Sequence, residues 1–284
     1  MIQMDNLSAP LLASLEELLE RIEEADGVRP TNESADLVIA GSRPGSFLFV
    51  TEGDDVVGFA VVDARDATIQ LGVDPAHRRR GHGSALLMAA LESHPQHTVW
   101  AFGTREGATA LSESMGLRPV RELLKMERPL AEEAWPVVPD GWRIRAWQPE
   151  DAEGVVATNA SAFSHHPEQG KLTLGEFNDL TEQPWFSADG LLLATPTSDP
   201  SNVAGFHWTK RQDETTGEVY VLAVDPEHAG HGLGRVLLEA GLAHLRATGC
   251  TRVILFVEAS ENRVVRLYQS ASFVTSNTDT SYRT

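Results

Sequence analysis

Apolar and polar positions along the chain follow strand and helix periods in an order that occurs twice. The opening stretch MIQMDNLSAPLLASLEELLERIEEADG has apolar positions broken by Glu at helical spacing and predicts an amphipathic helix. Two apolar strands follow in SFLFVTEGDDVVGFAVVDA. A third, IQLGV, runs into Asp-Pro, a glycine-bearing loop and a leucine-rich helical pattern. HTVWAFG then predicts a strand and REGATALSESMGL a helix. The second half repeats the order with GLLLATPTSDPSNVAGFHWTK, YVLAV, another Asp-Pro and glycine loop, a helix, TRVILFVEA and ENRVVRLYQSASF. The segment after Phe273 predicts a short last strand. Between the halves, LLKMERPLAEEAWPVVPDGWRIRAW is proline-rich at its centre before it resumes as a strand. This predicts two domains, residues 1–136 and 137–284.

The repeat is closest at its turns. IQLGVDPAHRRRGHGSALLMAAL, from Ile69, and YVLAVDPEHAGHGLGRVLLEAGL, from Tyr220, align without a gap. Val73, Asp74, Pro75, His77, Gly81 and Gly83 match Val224, Asp225, Pro226, His228, Gly232 and Gly234. A strand, a tight glycine turn and a helix N-terminus suit an anion, because glycine lets the backbone approach a ligand closely. The first free N–H groups of the helix then point at it. Asp225, before Pro226, reads as a residue that shapes the turn.

Composition narrows the partners. The 284 residues are 42% hydrophobic and 23% charged, the balance of a soluble globular protein. No apolar run approaches the roughly 20 residues that span a bilayer, and the N-terminus lacks the basic region of a signal peptide. Cytoplasmic residence is the expectation. A net charge of −18 argues against nucleic acid and anionic membrane surfaces as partners, since both need a basic footprint. A phosphate can still be held locally at a helix N-terminus. Cys250 is the single cysteine and reads as structural. Neither it nor the adjacent His165 and His166 has zinc-ligand spacing, so no metal is expected.

The VDP strand, the RxxGxG-like loop, the long helix, the hydrophobic strand and the LYxxxxF phrase together resemble the GNAT acyltransferase superfamily, over nearly the whole chain. The resemblance implies an α/β fold of two tandem GNAT (acyl-CoA N-acyltransferase) domains, each a mixed central sheet flanked by helices. It implies acetyl-CoA as co-substrate, its pyrophosphate on the loop amides and its pantetheine arm in a splay of the sheet beside the VDP strand. In the first half the implied contacts are Leu71, Gly72 and Val73 on the strand, then Arg79, Arg80, Gly81, His82, Gly83 and Ser84. In the second half they are Leu222, Ala223 and Val224, then Ala229, Gly230, His231, Gly232, Leu233, Gly234 and Arg235. Ala229 departs from the Arg or Gln usual there, a loss that a backbone contact tolerates. The segment Glu261, Asn262, Arg263, Val264, Val265 and Arg266 is implied beside the CoA arm, with Asn262 one residue nearer Tyr268 than the family spacing.

The phrases HPEQG, GFHWTK, GEVYVLAVDP and VVRLYQSASF are similar to the mycothiol synthase branch of that superfamily. This implies a small thiol-sugar amine as acceptor, the cysteinyl amine of 1D-myo-inositol 2-(L-cysteinylamino)-2-deoxy-glucopyranoside. It also implies substrate contacts at Glu33, Glu168, Lys210, Glu218 and Phe256, the last where some relatives carry tyrosine.

Comparing the halves suggests which one does chemistry. An amine attacking a thioester needs a proton acceptor, and the departing thiolate is helped by an acid. Glu218, seven residues before Asp225, is a candidate base, and the same count before Asp74 reaches Ala67. Tyr268 of the LY phrase is a candidate acid, and Ser112 aligns with it in the first half. One active site is therefore expected, in the second half, with the first retaining CoA binding without catalysis. The sequence is also compatible with transfer to another amine, such as an aminoglycoside or a peptide N-terminus, and with a CoA sensor that does not turn over. A monomer is compatible with everything read so far.

Overall fold

The computed structural model describes residues 2–164 and 169–284, so His165, His166 and Glu168 lie outside the described residues. The chain forms two compact units. Unit 1 comprises Met1–Leu124, Glu258–Ser260 and Asn277–Thr284, and unit 2 comprises Lys125–Val257 and Glu261–Ser276.

Unit 1 begins with β1 (Ile2–Met4) and α1 (Ala9–Asp26). Leu15, Leu18, Leu19 and Ile22 form the buried stripe of α1, and Gly27, at φ 68°, ends it in a left-handed turn that few other residues adopt at no cost. α2 (Glu33–Ile39) is capped by the Asn32 side chain, which accepts from Ala35 N. The hairpin β2 (Gly45–Glu52) and β3 (Asp55–Asp63) leads to β4 (Thr68–Val73), α3 (His82–Ser93), β5 (Thr98–Ala101) and α4 (Glu106–Ser114). Alternation sorts the strand side chains between two helical layers. Phe47, Phe49, Phe59 and Val61 pack with α1 and α2, while Leu48, Ala60, Val62 and Ile69 pack with Leu86, Leu87 and Ala90 of α3.

β6 (Arg118–Pro129) is followed in unit 2 by β7 (Trp142–Ala146), α5 (Ala152–Ala162), α6 (Leu174–Thr181) and β8 (Leu191–Pro196). Then come β9 (Gly205–Arg211), β10 (Thr216–Val224), α7 (Leu233–Ala247), β11 (Arg252–Glu258), α8 (Asn262–Ser270) and β12 (Val274–Arg283). Leu191, Leu193, Phe206, Trp208 and Ala223 face α5 and α6, and Ala194, Ala204, Leu222 and Val224 face Leu233 and Leu237 of α7. Strands run β11-β10-β9-β8-β7 in unit 2 and β1-β2-β3-β4-β5-β12 in unit 1. Each run of strands is mixed: β10 is parallel to β11 and antiparallel to β9, and β4 is parallel to β5 and antiparallel to β3.

The units do not divide the chain into two uninterrupted halves at 136/137, where the proline-rich stretch suggested a boundary. Residues 277–284 belong to unit 1, where Thr280, Ser281 and Tyr282 pair antiparallel with Ala101, Trp100 and Val99 of β5. Asp279 accepts from Gly103 N at 2.8 Å, and Tyr282 is buried with Val99 and Leu117. The free edge that β5 would otherwise present is thus satisfied from the far end of the chain.

Candidate active and cofactor sites

Each unit carries the turn that the repeat predicted, and the backbone explains its glycines. Asp74 and Asp225 each accept a hydrogen bond from the N–H two residues on, at Ala76 and Glu227. Gly81 and Gly232, at φ 88° and 77°, precede α3 and α7. Two residues earlier, Gly230 at φ 88° occupies the position that Arg79 takes in unit 1 at φ 63°. Gly83 and Gly234 face Leu111 and Leu267, so α4 and α8 stand against equivalent helix starts.

In unit 1 the parallel pairing of β4 with β5 extends from Thr68 opposite Thr98 to Gln70 opposite Trp100, and β4 runs on to Val73. A cavity of about 570 Å³ opens where the strands part. Leu71, Gly72 and Val73 form one wall and Val99, Trp100 and Phe102 another, and Arg79, Gly81, His82, Gly83 and Ser84 line it at the helix start. Ser112 lines it where unit 2 has Tyr268. Two loop arginines are engaged elsewhere: Arg78 donates to both oxygens of Asp26 at 2.9 and 2.8 Å, and Arg80 pairs with Glu52 at 3.2 Å. His82 bonds the same Glu52 at 2.9 Å and, with Arg80 and His77, holds its carboxyl below the usual range. What the loop leaves facing the cavity is therefore mainly backbone. Its shape, open helix N-terminus and adjoining slot fit a nucleotide pyrophosphate with an extended arm.

In unit 2 the pairing of β10 with β11 covers Thr216–Val219, after which β10 continues to Val224 along β9. Val219 pairs with Thr209 and Val221 with Trp208, so Tyr220 is the extra residue of a β-bulge. The bulge changes the comparison between halves. Counting from the Asp-Pro turn equates Glu218 with Ala67, but Glu218 lies opposite Lys210 as Thr68 lies opposite Asp63. With the extra residue removed, Thr68 is the equivalent position, and Ala67 sits in the preceding turn at φ 52°. Neither carries a carboxylate.

Glu218 is 7% exposed and receives a hydrogen bond from the Gln212 amide. The Lys210 ammonium opposite it lies 4.7 Å from the Trp185 ring centre and 5.1 Å from that of Tyr220. Tyr268, on α8, is 5% exposed and packs edge-on against Phe273 at 5.7 Å. Burial pushes its phenol well above the usual range, so it keeps its proton. Of the implied cofactor residues, Leu233 is buried and offers the loop its backbone, while the Arg235 Nε is 2.9 Å from Glu239. Ala229, His231 and Gly234 belong to the same turn, and Trp142 of β7 packs on both His228 and His231 at 5.5 Å. Glu261 immediately precedes α8, and Asn262, Arg263, Val264, Val265 and Arg266 form its start. Phe256, 41% exposed, lies on β11. Glu33 begins α2 in unit 1.

The sequence reading missed Gln212, Trp185, Tyr220 and Trp142. Gln212 had a signal, because it shares a strand face with Lys210 at a spacing of two. Among the described residues no group of three or more His, Cys, Asp or Glu is placed to hold a metal ion, and no helix is long and apolar enough to cross a membrane.

The sequence matches the model of the Acetyltransferase (GNAT) family over residues 12–117 and 160–273. A mycothiol acetyltransferase of Propionibacterium freudenreichii subsp. shermanii is 40% identical over 282 residues, 97% of this chain and 89% of that protein. One of Actinosynnema mirum is 40% identical over 98% of this chain and 97% of its own length. Among solved structures, a GCN5-related N-acetyltransferase of Sphaerobacter thermophilus superposes with a TM-score of 0.76 at 22% identity, covering 100% of this chain and 95% of that one. A tandem GNAT protein from the clavulanic acid biosynthesis pathway gives 0.76 at 18% identity, covering 99% and 96%. Two family matches in one chain, each spanning a splayed strand pair and a glycine cradle, and relatives aligned almost end to end place this chain in the acetyltransferase (GNAT) family, among the mycothiol acetyltransferases.

Proposed function

We propose that unit 2 transfers an acetyl group from acetyl-CoA to the cysteinyl amine of 1D-myo-inositol 2-(L-cysteinylamino)-2-deoxy-glucopyranoside, forming mycothiol and CoA. The acceptor follows from the relatives' name. The observation that carries the chemistry is the buried Glu218 carboxylate on the bulged strand, in the unit that also holds a protonated Tyr268. Bound acetyl-CoA supplies a thioester carbon as electrophile. Glu218 takes the proton of the attacking amine, directly or through a water, so that the nitrogen can form the new C–N bond. Backbone N–H groups around Leu222, Ala223 and Val224, on the part of β10 that extends beyond its β11 pairing, stabilise the developing oxyanion. As the C–S bond breaks, Tyr268 gives its proton to the sulfur.

Lys210 and Glu168 are read as acceptor contacts, together with Phe256 and Glu33. The turns at residues 229–235 and 79–84 hold the pyrophosphate through backbone N–H groups, and residues 261–266 flank the arm. Unit 1 is read as a CoA-binding copy without turnover, because Thr68, Ala67 and Ser112 offer no comparable base or acid. Purified protein with acetyl-CoA and the cysteinyl pseudodisaccharide should yield the N-acetyl product by mass spectrometry. Failure on this acceptor with efficient acetylation of an aminoglycoside or peptide amine would refute the assignment.

A further inference from the structure

Beyond the pair that transfers protons, the β9–β10 hairpin supplies a third group to the site. We propose that Gln212 is a positioning residue, whose amide holds the Glu218 carboxylate in one orientation and favours its ionised form; this rests on the reading of Glu218 as the base.

The geometry follows from the hairpin register. Arg211 pairs with Gly217 and Lys210 with Glu218, and Gln212 N donates to Thr216 O at 2.9 Å, so the ladder continues one step past β9. Side chains alternate along a strand, which puts Lys210, Gln212 and Glu218 on one face. Gln212 is then the diagonal neighbour of Glu218, about 7–8 Å away between backbones, a gap that only a long side chain bridges. Its Nε2 does so and donates to Oε2 of Glu218.

The turn beneath this contact is fixed independently. Asp213 Oδ1 accepts from Thr215 N at 2.7 Å, Thr215 Oγ1 at 2.9 Å and Thr216 N at 2.8 Å. The Thr215 and Thr216 donors hold the Asp213 carboxyl far below its usual range, so the turn keeps its anchor wherever activity is measurable. Arg252 Nε donates to Thr216 Oγ1 at 2.8 Å and ties the hairpin to β11. Gln212 itself is exposed and outside the core, whereas the carboxylate it reaches is buried. An amide suits the role. It stabilises the anion by a hydrogen bond but carries no charge, so it depresses basicity less than a guanidinium would, and it does not compete for the proton.

The test compares Gln212→Leu, Gln212→Glu and Glu218→Gln with the unaltered protein, using acetyl-CoA and the cysteinyl pseudodisaccharide across pH. In Gln212→Leu, kcat should fall about tenfold and the acid limb of its pH profile should move up by about one unit, with KM for acetyl-CoA unchanged. In Gln212→Glu the limb should move further, because two neighbouring carboxylates share a proton. Equal unfolding midpoints exclude a general loss of structure. A Gln212→Leu protein with normal kcat and an unmoved acid limb overturns the proposal. If Glu218→Gln is fully active, the base reading itself fails, whatever Gln212 does. If Glu218→Gln is inactive while Gln212→Leu behaves as the unaltered protein, only the role of Gln212 is lost.

Discussion

Gly241, in the middle of α7, faces the ring of His207 on β9, and a methyl added there would stand 2.0 Å from Nδ1 and 2.1 Å from Cε1. Contacts of this kind settle near ~3.5 Å, so the ring or the helix would have to withdraw by roughly 1.5 Å. His207 is fully buried, and its Nδ1 is 2.8 Å from Leu237 O on the same helix. Overpacking costs ~1–3 kcal/mol, and losing the buried hydrogen bond a further ~1–3 kcal/mol. Replacing glycine within a helix returns ~1 kcal/mol. The expected net loss for Gly241→Ala is ~1–5 kcal/mol, which lowers the unfolding midpoint of a unit this size by ~3–20 °C. The loss bears on the proposed function because α7 begins at the glycine turn and His207 lies opposite Leu222 of β10. Calorimetry, with unit 2 identified from its own transition, reads the shift. In a His207→Ala background the same substitution should be neutral or stabilising by up to ~1 kcal/mol, since the obstacle is gone. An unchanged or raised midpoint for Gly241→Ala in the unaltered background would refute this account of how the helix seats on the sheet.

Three further outcomes are expected. Glu218→Gln preserves the shape of a buried side chain and should lower kcat by ~10²–10³-fold with little change in acetyl-CoA binding; turnover above a tenth of normal would move the chemistry elsewhere, including to unit 1. Tyr268→Phe should keep the packing on Phe273 while slowing turnover about 10–100-fold, most strongly at high pH where solvent offers the thiolate fewer protons; equal rates across pH would exclude the acid role. Burial pulls the pKa of His207 down to about 4, so the folded state favours the neutral ring. Its stabilising contribution is complete above the unfolded value of ~6.5 and is lost as pH falls toward the folded one, up to about 3 kcal/mol. Chemical denaturation between those limits should show the slope, and His207→Ala should reduce it to what His97 and His244, also lowered by burial, contribute.

Much of the turn geometry was legible because it is local. Asp74 and Asp225, the following prolines and the glycines before α3 and α7 shape a turn within one short segment, so their spacing predicted the turn and its exposed helix start. The contrast of Glu218 and Tyr268 with uncharged counterparts was visible in the repeat as well. The surroundings of Glu218 were not. Gln212 and Lys210 meet it only through the β9–β10 register, Trp185 and Tyr220 gather on the Lys210 ammonium through packing, and residue counting alone chose Ala67 over Thr68 because it could not register a bulge.

The sequence by itself determined that two glycine-bearing strand-to-helix turns exist and that one half carries a carboxylate and a phenol, since strand, turn and helix-start propensities act over a few neighbouring residues. Only the tertiary structure decided that residues 277–284 complete the sheet of unit 1, that β10 bulges at Tyr220, and that the slot beside β4 opens past Gln70. Each of these depends on which strands pair and where pairing stops. That choice is made by hydrogen bonds and burial summed over partners distant in the chain, and no short segment encodes it.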